Sequence, residues 1–249
     1  MASPVLVEDG GVARDCILEG NVVNDTAYLV EAVSGLTYNV LVTSGPLVYD
    51  IGGKKFRVTT AITGAATNTA HNFIWIDNSQ TLGRSALPCH YRWTAPSSPA
   101  TDQHWYDLGE RQMKRWTGSV WENVFRIFIG YLRADGGSIN AYNASEPIGM
   151  TPFDRVRLFG EATSGFLNIS SGTTTLDGHF RYAAVVMTGG TINHTASSLG
   201  VTTLHVQGVF VMLNSSTINL NGLGRVGAAG GTAGGSNGLA AGLGGGGGG

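Results

Sequence analysis

The chain has 249 residues, of which 42% are apolar and only 13% charged, and its formal net charge is −2. That size admits one large or two modest domains with a real core, and the charge offers neither the basic footprint of a nucleic-acid binder nor a basic stripe for a membrane surface. The apolar runs are too short for a transmembrane helix, and the opening MASPVLVEDGG lacks the basic region and apolar stretch of a secretory signal.

Up to about Pro152 the chain holds all seven prolines and all five tryptophans. Cys16 and Cys89 form no spaced motif and read as two free thiols. LVYDIGGKKFRV, Leu47 to Val58, predicts a hairpin closed by the two-residue turn Gly52-Gly53. Pairing outward from that turn sets Asp50 opposite Lys55, Tyr49 opposite Phe56 and Leu47 opposite Val58, three favourable cross-strand pairs. HNFIWID, His71 to Asp77, is a further strand, and TAPSSPATD, Thr94 to Asp102, is a Pro/Ser linker.

From His104 to Leu132 the sequence predicts a three-stranded meander followed by a strand. Turns at Gly109 to Gln112 and Thr117 to Ser119 give the rows Trp105–Trp116–Val120, Tyr106–Arg115–Trp121 and Asp107–Lys114–Glu122. A basic central strand then lies between acidic and aromatic partners, each pair worth a fraction of a kcal/mol to about 1 kcal/mol. FRIFIGYL, apolar but for Arg126, reads as a strand buried on both faces.

The segment from about Leu158 to Asn221 is rich in Thr, Ser, Asn, Val and Gly, with no proline and no helical period. VVMTGGTIN, Val185 to Asn193, is echoed about 26 residues later by VMLNSSTIN, Val211 to Asn219. Short strands with small polar corners at a fixed period suggest coils of a β-solenoid. The last 28 residues, from Gly222, include 15 glycines, many at a three-residue step. Three residues per turn is the period of the extended left-handed helix, whose backbone groups all bond sideways. Gly224 to Gly249 is therefore expected to begin a bundle of extended glycine helices, and the chain to continue past Gly249.

Few motifs carry chemistry. GLGRVG, Gly222 to Gly227, matches the dinucleotide fingerprint, but glycine follows it where a helix and a ribose-binding acid are required, so it reads as a decoy. Glycan hydrolysis needs two carboxylates, whereas the 72 residues from Gly178 to Gly249 contain none; Glu161 and Asp177 would have to be the whole site. His71, His90, His104, His179, His194 and His205 show no ligand spacing. Cys89-His90 adjoin, without a base or orienting group in sequence. No catalytic, cofactor-binding or metal residue is assigned. Trp105, Trp116 and Trp121 are the candidate contact residues: they could stack against sugar rings, or pack the meander against a neighbouring subunit or sheet, and the internally matched rows favour packing.

Three stretches resemble bacteriophage tail fibres and related receptor-binding proteins. LTYNVLVTSGPLVYDIGGKKFRVTTAITG…HNFIWID is similar to small β-domains near the virion end of such fibres. HWYDLGERQMKRWTGSVW resembles a Trp-Tyr-Asp…Met…Trp-x-Gly…Trp module that recurs in them. STINLNGLGRVGAAGG running into polyglycine resembles glycine-rich phage adhesin tips. The resemblance covers roughly residues 36 to 135 and 210 to 249. It implies a mostly β, intertwined homotrimer without cofactor, made in the host cytoplasm and located in the virion. Its partners would be tail or baseplate proteins at the N-terminal side and a host-surface glycan or protein receptor further out, with no nucleic acid and no membrane insertion.

The expected fold is mainly β. Residues 1–93 form an N-terminal antiparallel anchoring domain, 94–152 the Pro/Ser linker and Trp-rich meander, 153–221 a β-solenoid-like segment and 222–249 a glycine-rich tail. The expected function is structural and recognition-bearing, not enzymatic. The rivals are a tailspike glycan depolymerase, disfavoured by the missing carboxylates, and a bacterial surface adhesin.

Overall fold

A computed structural model of the chain describes residues 8–9, 12–13, 28–42, 47–68, 70–143, 152–194, 202–213 and 216–219. The fold is mainly β, with one short helix among the described residues. β1 (Glu8–Asp9) and β2 (Val12–Ala13) form a small antiparallel pair. β3 (Tyr28–Ser34) and β4 (Thr37–Val42) form a hairpin. After β5 (Leu47–Ile51) and β6 (Lys54–Val58), β7 (Ile62–Ala65) returns to pair with β4.

The β5–β6 register is the one its turn dictates: Leu47 faces Val58, Tyr49 faces Phe56 and Asp50 faces Lys55. Gly52 and Gly53 have φ of 60° and 75°, the left-handed pair that a two-residue hairpin turn needs. The Asp50 carboxylate accepts a hydrogen bond from Gly53 N–H, and the rings of Tyr49 and Phe56 stack at 5.3 Å.

β8 (Ala70–Asp77) continues into β9 (Leu82–Ser85) through a turn in which Asp77 Oδ1 accepts from the Ser79 and Thr81 amides. β10 (Cys89–Arg92), β11 (His104–Asp107), β12 (Gln112–Trp116) and β13 (Trp121–Asn123) form the second sheet in that order. The Pro/Ser segment joins β10 to β11, which pair in parallel. β14 (Arg126–Asp135) then pairs with β8 on one side and β15 (Ser138–Asn143) on the other.

The meander has different rows from those expected. Trp105 faces Lys114, Tyr106 faces Met113, Arg115 faces Glu122 and Trp116 faces Trp121. The first turn keeps four residues but sits one position earlier, at Leu108 to Arg111, where Asp107 Oδ1 accepts from the Gly109 and Glu110 amides and Arg111 takes φ 55°. The second takes in Val120, since Thr117 N–H donates to Val120 O and Thr117 Oγ1 accepts from the Val120 amide. Side-chain hydrogen bonds to the turn backbone thus outrank the charge pairing from which the rows were inferred. The Asp107–Lys114 attraction survives as a diagonal contact of 2.9 Å.

β14 and β8 are buried on both faces, and a bulge changes which residues face which core. Ile127, Ile129, Leu132 and Ala134 face one core with Ile74, Ile76, Tyr38, Val40 and Tyr49, whereas Phe128 and Tyr131 face a second core with Phe73. The register shift between Phe128 and Gly130 moves the alternation by one residue.

The short helix α1 (Pro152–Phe159) opens the second half of the chain. Proline at its start and Gly160 beyond its end, with Gly160 N–H donating to Val156 O, are ordinary helix boundaries. Its eight residues were too few to show a period in the sequence. Then follow β16 (Gly165–Ile169), β17 (Thr173–Leu176), β18 (His179–Met187), β19 (Thr191–His194), β20 (Thr203–Val206), β21 (Phe210–Met212) and β22 (Thr217–Asn219).

These strands stack in parallel. Ile169, Met187 and Met212 form one column and Thr174, Ile192 and Ile218 another. The corners stack as well: Thr191 N–H donates to Gly172 O, and one level on Thr217 N–H donates to Gly190 O. Val185, Met187, Ile169, Leu176 and Ile192 close a third core between the two parallel sheets. From the other face of β18, Ala184 and Val186 join Phe73, Tyr91, Tyr106, Phe128 and Tyr131 in the second core. The parallel stack and the meander therefore share one interior. The glycine-helix expectation, GLGRVG and Cys16 lie outside the described residues.

Candidate functional site

The three candidate tryptophans meet on the β11–β13 sheet. Trp121 lies between the other two, with ring centroids 5.4 Å from both Trp105 and Trp116. Trp105 is only 6% exposed, its indole N–H donates to Arg92 O, and Lys114 Nζ sits 5.1 Å from its ring. Lys114 also contacts Asp107 and Glu110; burial would pull its pKa down, but the two carboxylates outweigh that and hold it above the ordinary lysine value. Trp105 is thus committed to internal packing. Trp116 and Trp121 are half-buried.

A different aromatic pair faces solvent. Trp93, just past β10, is 52% exposed and meets the half-exposed Phe153 of α1 edge to face at 5.7 Å. The Arg111 guanidinium lies 5.6 Å from the Phe153 ring, completing an aromatic–cation cluster. Beside it Arg92 Nε donates to Glu161 Oε2 at 3.3 Å. Such a surface can stack a flat, weakly polar ligand face and offer it charged hydrogen-bonding groups. Trp93 stood in the sequence directly before the Pro/Ser segment, but nothing there revealed its pairing with Phe153, because α1 itself was not legible.

Three of the histidines, His71, His90 and His104, serve the interior. His71 Nδ1 is 2.7 Å from Tyr131 Oη, and its ring packs against Phe166. Burial, with Arg133 nearby, pushes its pKa down to about 4. Gln103 Nε2 donates to His90 Nε2; burial and the neighbouring Arg92 take His90 down to about 4. His104 lies beside Phe128 and Arg126, and burial, reinforced by Arg126 and Arg115, lowers it to about 3. His179 and His194 pair with Thr203 and Thr202, and His205 stands opposite Arg181.

Glu161 is tied to Arg92 after α1, while Asp177 sits in the short link between β17 and β18. Cys89 is a buried thiol whose Sγ lies 3.4 Å from Met113 Sδ and whose neighbour His90 bonds to Gln103. Among the described residues, no three or more His, Cys, Asp or Glu side chains gather as a metal ion requires, and no helix is long and apolar enough to cross a membrane.

No protein-family model, curated protein or solved structure matches the chain.

Proposed function

We propose that the chain is a structural and recognition protein of a virion fibre, held to a tail or baseplate at its N-terminal side and carrying host-surface recognition further along. The observation that supports this best is the parallel stack. Columns such as Thr173–Thr191–Thr217 add one level after another along a single axis, the quasi-one-dimensional construction suited to an elongated protein. We read the stack as a short β-solenoid. Its core merges with that of the antiparallel half, so a fibre built this way transmits force from anchor to tip without a flexible joint at this point.

The resemblance of the N-terminal hairpins and of the Trp-rich meander to tail-fibre modules supports the same reading. Open sheet edges and strands such as β9 and β13 at sheet margins suit a homotrimer, in which copies cover one another's edges.

Immunogold labelling tests the reading. Antibodies raised against residues 94–219 should decorate fibres projecting from particles of the virus that encodes the chain. Intact particles that contain the protein nowhere, or carry it only inside the capsid, would overturn it.

A further inference from the structure

A cleft between the β5–β6 hairpin and the meander carries two positive charges with no ion-pair partner among the described residues. Ile51 and Gly52 of the hairpin line one side, and Tyr106, Arg111, Gln112 and Arg126 line the other. Arg126 lies over the Trp75 ring at 4.0 Å, its Nη1 is 3.3 Å from His104 Nε2, and its buried Nε has no hydrogen-bond partner. Burial, reinforced by Arg115, pulls its pKa below the ordinary arginine value. Three carboxylates attract Arg126 from beyond ion-pairing distance, and each is engaged elsewhere: Asp102 and Glu122 with Arg115, Asp77 with the Ser79 and Thr81 amides. Glu110, the chain neighbour of Arg111, is likewise held by Lys114 at 2.8 Å. Two such guanidinium groups on one cleft, one with a buried unsatisfied N–H, form an arrangement that an anion relieves.

We propose that this cleft binds the carboxylate of an acidic sugar, with the sugar ring resting on Phe153 and Trp93. This rests on the recognition reading above and gives its ligand a chemical class. A guanidinium meets a carboxylate as a planar fork, through charge-assisted hydrogen bonds. The cleft holds about 230 Å³, less than the roughly 300–1,000 Å³ of pockets that enclose a whole small molecule. It therefore takes one group of a larger ligand.

The surroundings of the cleft select the rest of that ligand. The Arg111 guanidinium that lines it also lies 5.6 Å from the Phe153 ring, and Phe153 meets Trp93 at 5.7 Å. The apolar face of a pyranose ring stacks on such side chains, and in a uronic acid the carboxylate is attached directly to that ring. An acidic peptide side chain brings the carboxylate but no ring to cover the aromatic pair. A phosphate group brings charge alone.

Titrating the full chain, carrying nitrogen-labelled arginine, with glucuronate, acetate, glucose and inorganic phosphate at constant ionic strength tests the site through its arginine Nε–H resonances. Glucuronate should shift the Arg111 and Arg126 signals and bind at least about fivefold more tightly than acetate or phosphate, the margin of one stacked ring. Glucose should shift neither signal. Equal affinity for acetate would refute the sugar in favour of an acidic peptide, and tighter binding of phosphate would refute the carboxylate. Arg111→Gln should weaken glucuronate binding at least about tenfold, and Trp93→Ala should erase its margin over acetate. Arg57→Gln, on the exposed side of β6, should change nothing. Unshifted signals, or equal losses in the Arg57 and Arg111 variants, would overturn the site. Binding is read on the purified chain, so a chain that binds glucuronate but is absent from virions would refute the fibre reading and not the site.

Discussion

The side-chain amide of Gln207 is hydrogen-bonded to both backbone groups of Tyr91, a residue 116 positions earlier. Its Oε1 accepts from Tyr91 N–H at 3.2 Å and its Nε2 donates to Tyr91 O at 2.9 Å, with Gly160 O as a second acceptor at 2.5 Å. The amide thereby does along β10 what a neighbouring strand would do, and it joins the parallel stack to the meander sheet. Gln207 is fully buried, and its own carbonyl accepts from the Arg155 guanidinium, which lies over the Tyr91 ring. Gln207→Leu keeps the volume but removes all of these side-chain bonds from a dry interior, so it should cost about 2–4 kcal/mol. Urea unfolding followed by tryptophan fluorescence measures the loss. A change below about 0.5 kcal/mol would mean that the junction does not depend on this amide.

Two glycines separate backbone strain from crowding. Gly52 has φ 60° with nothing within 4 Å of where a Cβ would stand, whereas Gly190 has φ 86° and would put a Cβ 2.6 Å from Gly172 O and 2.8 Å from Ser171 C. Gly52→Ala carries the left-handed penalty alone, about 1 kcal/mol. Gly190→Ala adds contact with the backbone of the corner below, which cannot rotate aside as a side chain could, and should cost at least about 3 kcal/mol. Thermal unfolding of the two variants should preserve that order.

What the sequence revealed followed the range of the forces involved. The β5–β6 register was readable because a two-residue Gly-Gly turn leaves almost no freedom, and the centre of β14 because Ile127 to Leu132 is an unbroken run of apolar residues and glycine; Phe125, read with it, lies outside the strand and is 52% exposed. The meander rows were not, since the Asp107 and Thr117 side chains set where the turns begin and end, which charge pairing cannot reveal. The echo of VVMTGGTIN in VMLNSSTIN does correspond to stacked strands, with Thr191 opposite Thr217. The level beneath them carries no such echo; there Thr173 faces Thr191, a shorter step. Gln207 left no mark at all, being a single polar residue between apolar neighbours whose partner is distant in sequence.

The tryptophans separate by burial. Trp105 fills the interior of the meander and donates a hydrogen bond there, so Trp105→Ala should destabilise by about 3–5 kcal/mol. Trp93 keeps half its surface in water and packs chiefly on Phe153, so Trp93→Ala should cost no more than about 1 kcal/mol. Far- and near-ultraviolet circular dichroism through a denaturant series distinguishes them. A Trp93→Ala loss as large as that of Trp105→Ala would mark Trp93 as part of the structural core, not a surface available to a ligand.

Acid should weaken the protein before its carboxylates titrate. His90 and His104 are buried and neutral, with pKa values lowered to about 4 and about 3 from an unfolded value near 6.5. Between pH 6.5 and about 4 the unfolded chain therefore binds protons at both sites while the folded chain does not. The stabilisation is fully present above pH 6.5 and is lost as pH falls through that window, at up to about 1.4 kcal/mol per pH unit for each fully buried ring. His71, lowered to about 4 but less deeply buried, acts in the same direction. Below the folded-state values both forms are protonated and this contribution levels off. Urea midpoints measured from pH 7.5 down to 5, above most carboxylate titration, should change little down to about pH 6.5 and fall steadily below it. His104→Gln should flatten that slope by about one proton's worth, because its amide does not titrate. A midpoint constant across the window would show that these rings are already solvated in the folded protein.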